Sequence, residues 1–129
     1  NSNPSNIQGA CPDGWHLPSK AEYEQLAQHL GGLDVAGGKM KDVATGLWDS
    51  PNDATNESGF AALPVGSRLE DGDFLDVGIN AVFWTSFERQ NTSSPLIRAW
   101  AAFLYYEWAE MTLDVEDTKV GLSVRCLQD

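Results

Sequence analysis

The chain has 129 residues and a formal net charge of −11, from 19 acidic and 8 basic side chains. That balance argues against nucleic acid and anionic membrane surfaces as partners, since both need clustered Lys and Arg; it suits solubility, divalent cations or a cationic partner. The length and a hydrophobic content of 42% predict one domain with a real core, and five Trp make aromatic packing or aromatic ligand contact prominent.

No apolar run approaches the ~20 residues of a membrane helix. The sequence opens on Asn1 rather than Met, which reads as a trimmed chain whose targeting segment has been removed. Residues 1–8 are polar with one Pro and read as a linker, ahead of a single domain over 9–129. The two cysteines, Cys11 and Cys126, stand near the two ends with none between. Even number and position favour a disulfide, two free thiols being the alternative. Such a long closed loop would stabilise by up to ~4–5 kcal/mol in the chain-entropy model and implies an oxidising compartment.

Ser19 and Glu22 form an S-x-x-E capping box, so a helix starts there. Tyr23, Leu26, Ala27 and Leu30 recur on one helical face, Glu22, Glu24, Gln25 and Gln28 face water, and Gly31-Gly32 ends the helix. From Leu33 to Ser67 glycines and prolines punctuate an irregular stretch, with an almost wholly polar run from Asp49 to Ser58. Phe60, Leu63 and Val65 are expected to pin its far end to the core. Strands follow. Ala81–Ser86 is short and apolar, and Ile97–Tyr106 is apolar on both faces, as a covered central strand would be. The polar stretch Arg89–Pro95 between them reads as a loop. Met111, Leu113 and Val115 alternate with polar residues, and Val120, Leu122, Val124 and Cys126 are expected to return as a hairpin partner. One helix, a long middle and a run of antiparallel strands make an α+β domain.

Several motifs carry a family resemblance. The opening Cys11-Pro12-Asp13-Gly14-Trp15-His16-Leu17-Pro18-Ser19, the segments Val35–Lys41 and Thr55–Pro64, Phe83-Trp84-Thr85-Ser86 with Glu88, and the closing Gly121–Cys126 occur in order. Together they resemble the Fibrobacter succinogenes major paralogous domain over residues 9–129. Phe87 and Leu122 depart from its pattern as conservative packing changes. The resemblance implies a C-type-lectin-like fold with a long irregular loop region and adjacent termini closed by Cys11–Cys126. It also implies a secreted protein or surface lipoprotein of bacteria, outside the cell or on its outer surface. Trp15–Glu22 also looks a little like the helix start of formylglycine-generating enzymes, whose chemistry needs reactive cysteines.

In lectins of this fold the long loop carries calcium and sugar. Trp48, Asn52 and Asn56 are therefore candidate ligand contacts, and Asp49, Asp53 and Glu57 candidate calcium ligands, since hard cations want six to eight oxygens. The alternative is a solvated turn region in which Asn and Asp satisfy backbone groups. Asp71, Asp73 and Asp76 form a second acidic cluster, read either as calcium ligands or as a turn centred on Asp71-Gly72. Trp84, Trp100 and Trp15 are expected in the core, and Trp108, beside Glu107 and Glu110, is the one of Trp84, Trp100 and Trp108 expected to be partly exposed and is a further candidate ligand contact. His16 is expected to make a structural hydrogen bond and His29 to face water. No hydrolase or phosphate-loop motif is present. The expected role is a non-catalytic, monomeric binding module for a glycan or an extracellular protein. A structural domain of a larger surface protein is the alternative, and a hydrolase the remote one.

Overall fold

A two-residue strand, β1 (Trp15–His16), leads into helix α1 (Lys20–His29). The capping box starts the helix: Glu22 N–H donates to Ser19 Oγ at 3.2 Å and Ser19 N–H to Glu22 Oε2 at 2.8 Å. Tyr23 and Ala27 enter the core, with Leu26 and Leu30 partly buried beside them. Gly31 and Gly32 end the helix at positive φ, where glycine is at ease. The computed structural model describes residues 1–89 and 97–129; the loop expected over Arg89–Pro95 lies outside them from residue 90 onward.

The stretch after α1 departs from the irregular chain expected there, because Leu33–Met40 is a second helix, α2. Its two glycines look like punctuation, since each costs about 1 kcal/mol in a helix interior. Here they are a contact surface. A Cβ on Gly37 would overlap the Glu110 carbonyl, and one on Gly38 would stand 2.6 Å from the Asp53 carbonyl oxygen. Gly38 N–H donates to Ala109 O at 2.8 Å, so α2 lies directly against a backbone turn.

From α2 to β2 (Ser67–Arg68) the chain is irregular, as expected of a long middle loop. Ala62 anchors it, accepting from Asp42 N–H at 3.0 Å and donating to Met40 O at 2.9 Å. Phe60 packs its edge on Phe83, with centroids 5.3 Å apart. Leu63 and Val65, also expected as pins, are exposed. β2 pairs with β3 (Phe74–Leu75) across a turn through Asp71-Gly72.

The main sheet is β4 (Asn80–Arg89), β5 (Arg98–Tyr105) and β6 (Met111–Asp117), antiparallel, with β5 central. Ala81, Phe83, Ala102, Leu104 and Met111 face Tyr23, Ala27, Ala36 and Met40 of the helices. The closing segment does not form a hairpin with β6. It crosses to the other side, where Gly121 bridges Arg68, and Ser123 runs parallel to Phe83 of β4. Alternation predicted an extended segment there, but the pairing partner is a long-range choice. β7 (Leu127–Gln128) then pairs with β1, and Cys11 and Cys126 form the disulfide, their Cα atoms 5.8 Å apart. Residues 1–8, read as a linker, lie against the domain. Ser5 Oγ donates to Leu17 O at 2.6 Å, and Asn1 Oδ1 accepts from Ala21 N–H at 2.9 Å.

Replacing a helix-interior glycine by alanine normally stabilises a protein. For Gly37→Ala we expect the reverse, a loss of about 1–3 kcal/mol from overpacking against Glu110. Urea unfolding of the two proteins reads the sign directly.

Candidate functional site

The residues proposed from the middle loop are mostly turn builders. Trp48, a candidate ligand contact, is 5% exposed, and its indole N–H donates to Ala62 O at 3.0 Å. It is a core residue with no face open to a ligand. Asn52 donates to Asp49 O at 2.9 Å and accepts from Ala54 N–H at 3.1 Å. Asn56 sits at positive φ and accepts from Ala61 N–H at 2.9 Å. Glu57 pairs with Lys39 at 3.4 Å, Asp53 lays its carbonyl against Gly38, and Asp49 faces Gly78. In the second cluster Asp71 accepts from Asp73 N–H at 3.1 Å and Asp76 from the Asn80 amide at 3.2 Å. Among the described residues no three His, Cys, Asp or Glu side chains gather as a metal site would need. The two acidic runs therefore do not converge into a carboxylate cluster for calcium.

Trp108 is 46% exposed and stands at the end of an aromatic strip. Its ring lies 4.8 Å from Tyr105, and Tyr105 lies 6.3 Å from Phe103 with the two planes 9° apart. Phe103 and Tyr105 alternate with Leu104, so they project from the sheet face opposite the core. Asp114 and Glu116 of β6 stand opposite Ala101 and Ala99, on that same face. Burial pushes the Tyr105 hydroxyl pKa up, and the negative charges of Asp76, Glu116 and Asp114 add to the rise. An unbroken apolar run hides such a strip, because nothing in the run says which alternate set faces out.

Beneath the strip is a residue that sequence reasoning missed. Lys41, at the end of α2, is fully buried. Its Nζ donates to Trp108 O at 2.6 Å and Tyr106 O at 3.2 Å, and stands 5.2 Å from the Trp48 ring centre. Two carbonyls and an indole face thus take the place of a carboxylate partner. Burial pulls its pKa down to about 8, with Asp53 pulling weakly back. Lysine in a polar stretch carries no sequence mark of burial.

The chain ends build a second feature. His16 Nδ1 lies 2.7 Å from Asp129 Oδ1, and Nε2 lies 2.9 Å from Glu22 Oε1. Each ring nitrogen faces a carboxylate, so the arrangement favours the imidazolium, whose two N–H groups both donate. The bond to Asp129, then the bond to Glu22, raises the His16 pKa. Glu22, expected in water, is thereby held between helix cap and imidazole. An open groove of about 750 Å³ runs past this ring, lined among others by Asp13 and Trp15. Trp15, expected in the core, is 38% exposed. His29 does face water.

These features define a disulfide-closed α+β domain with one aromatic strip and a groove at its joined ends. The family model of the Fibrobacter succinogenes major domain matches residues 2–128, and the chain belongs to that bacterial family. No curated protein and no solved structure shows significant similarity to it.

Two pH slopes of opposite sign follow. The folded-state pKa of His16 lies above its unfolded value of 6.5, so its contribution is complete below that pH and is lost as pH rises through the raised value. NMR titration should show His16 titrating above 6.5, and Asp129→Asn should bring it back toward that value. Lys41 binds its proton less tightly folded, at about 8 against 10.5, so stability should rise with pH in that window. The expected gain from mildly alkaline pH to just below tyrosine ionisation is about 2 kcal/mol, and Lys41→Met should flatten it. Urea unfolding across that range checks both proteins.

Proposed function

We propose that this chain is a non-catalytic extracellular or cell-surface binding module of C-type-lectin-like architecture. Its ligand is a glycan, held on the Phe103–Tyr105–Trp108 strip. The observation that carries the reading is Trp108, nearly half exposed, tilted against Tyr105 and anchored through its own carbonyl by Lys41. A rigid aromatic face suits the apolar C–H face of a pyranose, and neighbouring carboxylates can accept from sugar hydroxyls. Joined ends, the long middle loop and the terminal disulfide support the fold assignment and an oxidising compartment. Among the described residues no helix is long and apolar enough to cross a membrane.

The best-placed titratable group offers little to a reaction. His16 is engaged on both nitrogens, leaving neither free to act on a substrate. A second reading, a structural domain of a larger surface protein, draws on the hairpin β2–β3. Phe74 is 67% exposed there, and Val77 just beyond it 66%.

The test is a glycan array, with and without calcium, followed by calorimetry on any hit. Trp108→Ala should weaken binding roughly tenfold or more, as loss of an aromatic anchor does, while circular dichroism and thermal unfolding stay close to the parent protein. Absence of binding to any saccharide would favour the structural reading.

A further inference from the structure

The charge around the strip specifies its ligand further. Asp76 is bonded to Asn80, the register partner of Tyr105, Asp114 and Glu116 lie along β6 on the strip's face, and Glu107 and Glu110 flank Trp108 in the chain. Among the described residues none of these five carboxylates is in an ion pair. Four of them accept one short-range bond each: Asp76 from Asn80, Glu110 from Thr112, Asp114 from Val115 N–H, and Glu116 from Asp117 N–H. Among the cations, Lys20 and Lys39 are paired with Glu24 and Glu57, and Arg68 and Arg125 lie over Phe74 and Phe60. Arg98 is at the far end of β5 on the face opposite Phe103 and Tyr105, beside Glu116 in register and away from Asp76 and Asp114. Lys41 is buried below the strip and Lys119 is paired with Glu70. Residues 90–96 contain no charged side chain.

An anionic ligand would thus meet repulsion from Asp76 and Asp114, and a neutral sugar would use the rings alone. A sugar carrying a primary ammonium would use both surfaces, its ring on the aromatic faces and its charge against the carboxylates or over an indole. Resting on the glycan reading above, we propose that the strip selects amino sugars, preferring a polymer of free amines over its acetylated and acidic counterparts.

The test compares oligomers of equal length: glucosamine, N-acetylglucosamine and galacturonate, with oligolysine as a peptide of like charge. Calorimetry is run below neutral pH, where the amines are protonated, at low and at high salt. The glucosamine oligomer should bind roughly tenfold tighter than the acetylated one, and lose that advantage at high salt. Galacturonate should not bind, and Asp114→Asn with Glu116→Gln should shrink the preference. Equal binding of the amine and acetylated oligomers, lost in Trp108→Ala, overturns the charge selection and leaves the glycan site standing. Comparable binding of galacturonate also overturns it. Oligolysine binding as tightly as the amino sugar overturns the assignment to a sugar. No binding by any saccharide overturns this proposal together with the glycan reading.

Discussion

A single buried ammonium ties together the part of this domain that carries the aromatic strip. A charge inside a protein must be met by polar partners or it will not stay. Lys41 meets that demand with the carbonyls of Tyr106 and Trp108 and the face of Trp48. These groups come from the turn between β5 and β6 and from the middle loop, while Lys41 itself ends α2. One side chain therefore joins helix, loop and sheet. Because the carbonyls it holds belong to the aromatic strip's own turn, the geometry of Trp108 depends on a residue that any ligand on the strip would not reach. Gly37 serves the same end, since a Cβ there would overlap the Glu110 carbonyl and hold the helix off the turn that Lys41 reaches, while Gly38 leaves room for the Asp53 carbonyl of the middle loop.

The other organising constraint is the closure of the chain ends. β1 pairs with β7, the disulfide crosses beside them, and His16 joins Glu22 to Asp129. Covalent, backbone and ionic links thus coincide at one place. The ionic link alone responds to protonation, so the ends carry a pH dependence that the disulfide does not. Glu22 couples it to the helix, because its second carboxylate oxygen caps Ser19.

Much of the fold was legible in the sequence, and where it was not the reason is physical. The capping box, the α1 stripe and the three main strands are short-range patterns, set by residues a few positions apart. Gly37-Gly38 looked like a break because local propensity is all that can be read locally, whereas their use is close contact with Glu110 and Asp53, both farther along the chain. The segment from Val120 to Cys126 alternates as an extended chain should, yet alternation is silent about which strand lies next to it. Trp48 sits among polar residues that suggest exposure, and the fold turns its ring inward to cover Lys41 while its neighbours satisfy the loop backbone.

The sequence by itself determined the secondary-structure start points, the family, and the cysteine positions that favoured a clasp between the ends. It also set the strongly acidic balance and marked Trp108, against Trp84 and Trp100, as the indole open to solvent. Tertiary structure alone decided that the middle acids do not converge, that Lys41 is buried, that His16 bridges two carboxylates, and that Phe103, Tyr105 and Trp108 form one surface. Each of these depends on which distant groups become neighbours. Periodicity and composition describe a residue's own segment, whereas burial, pairing and charge environment belong to the segments packed against it.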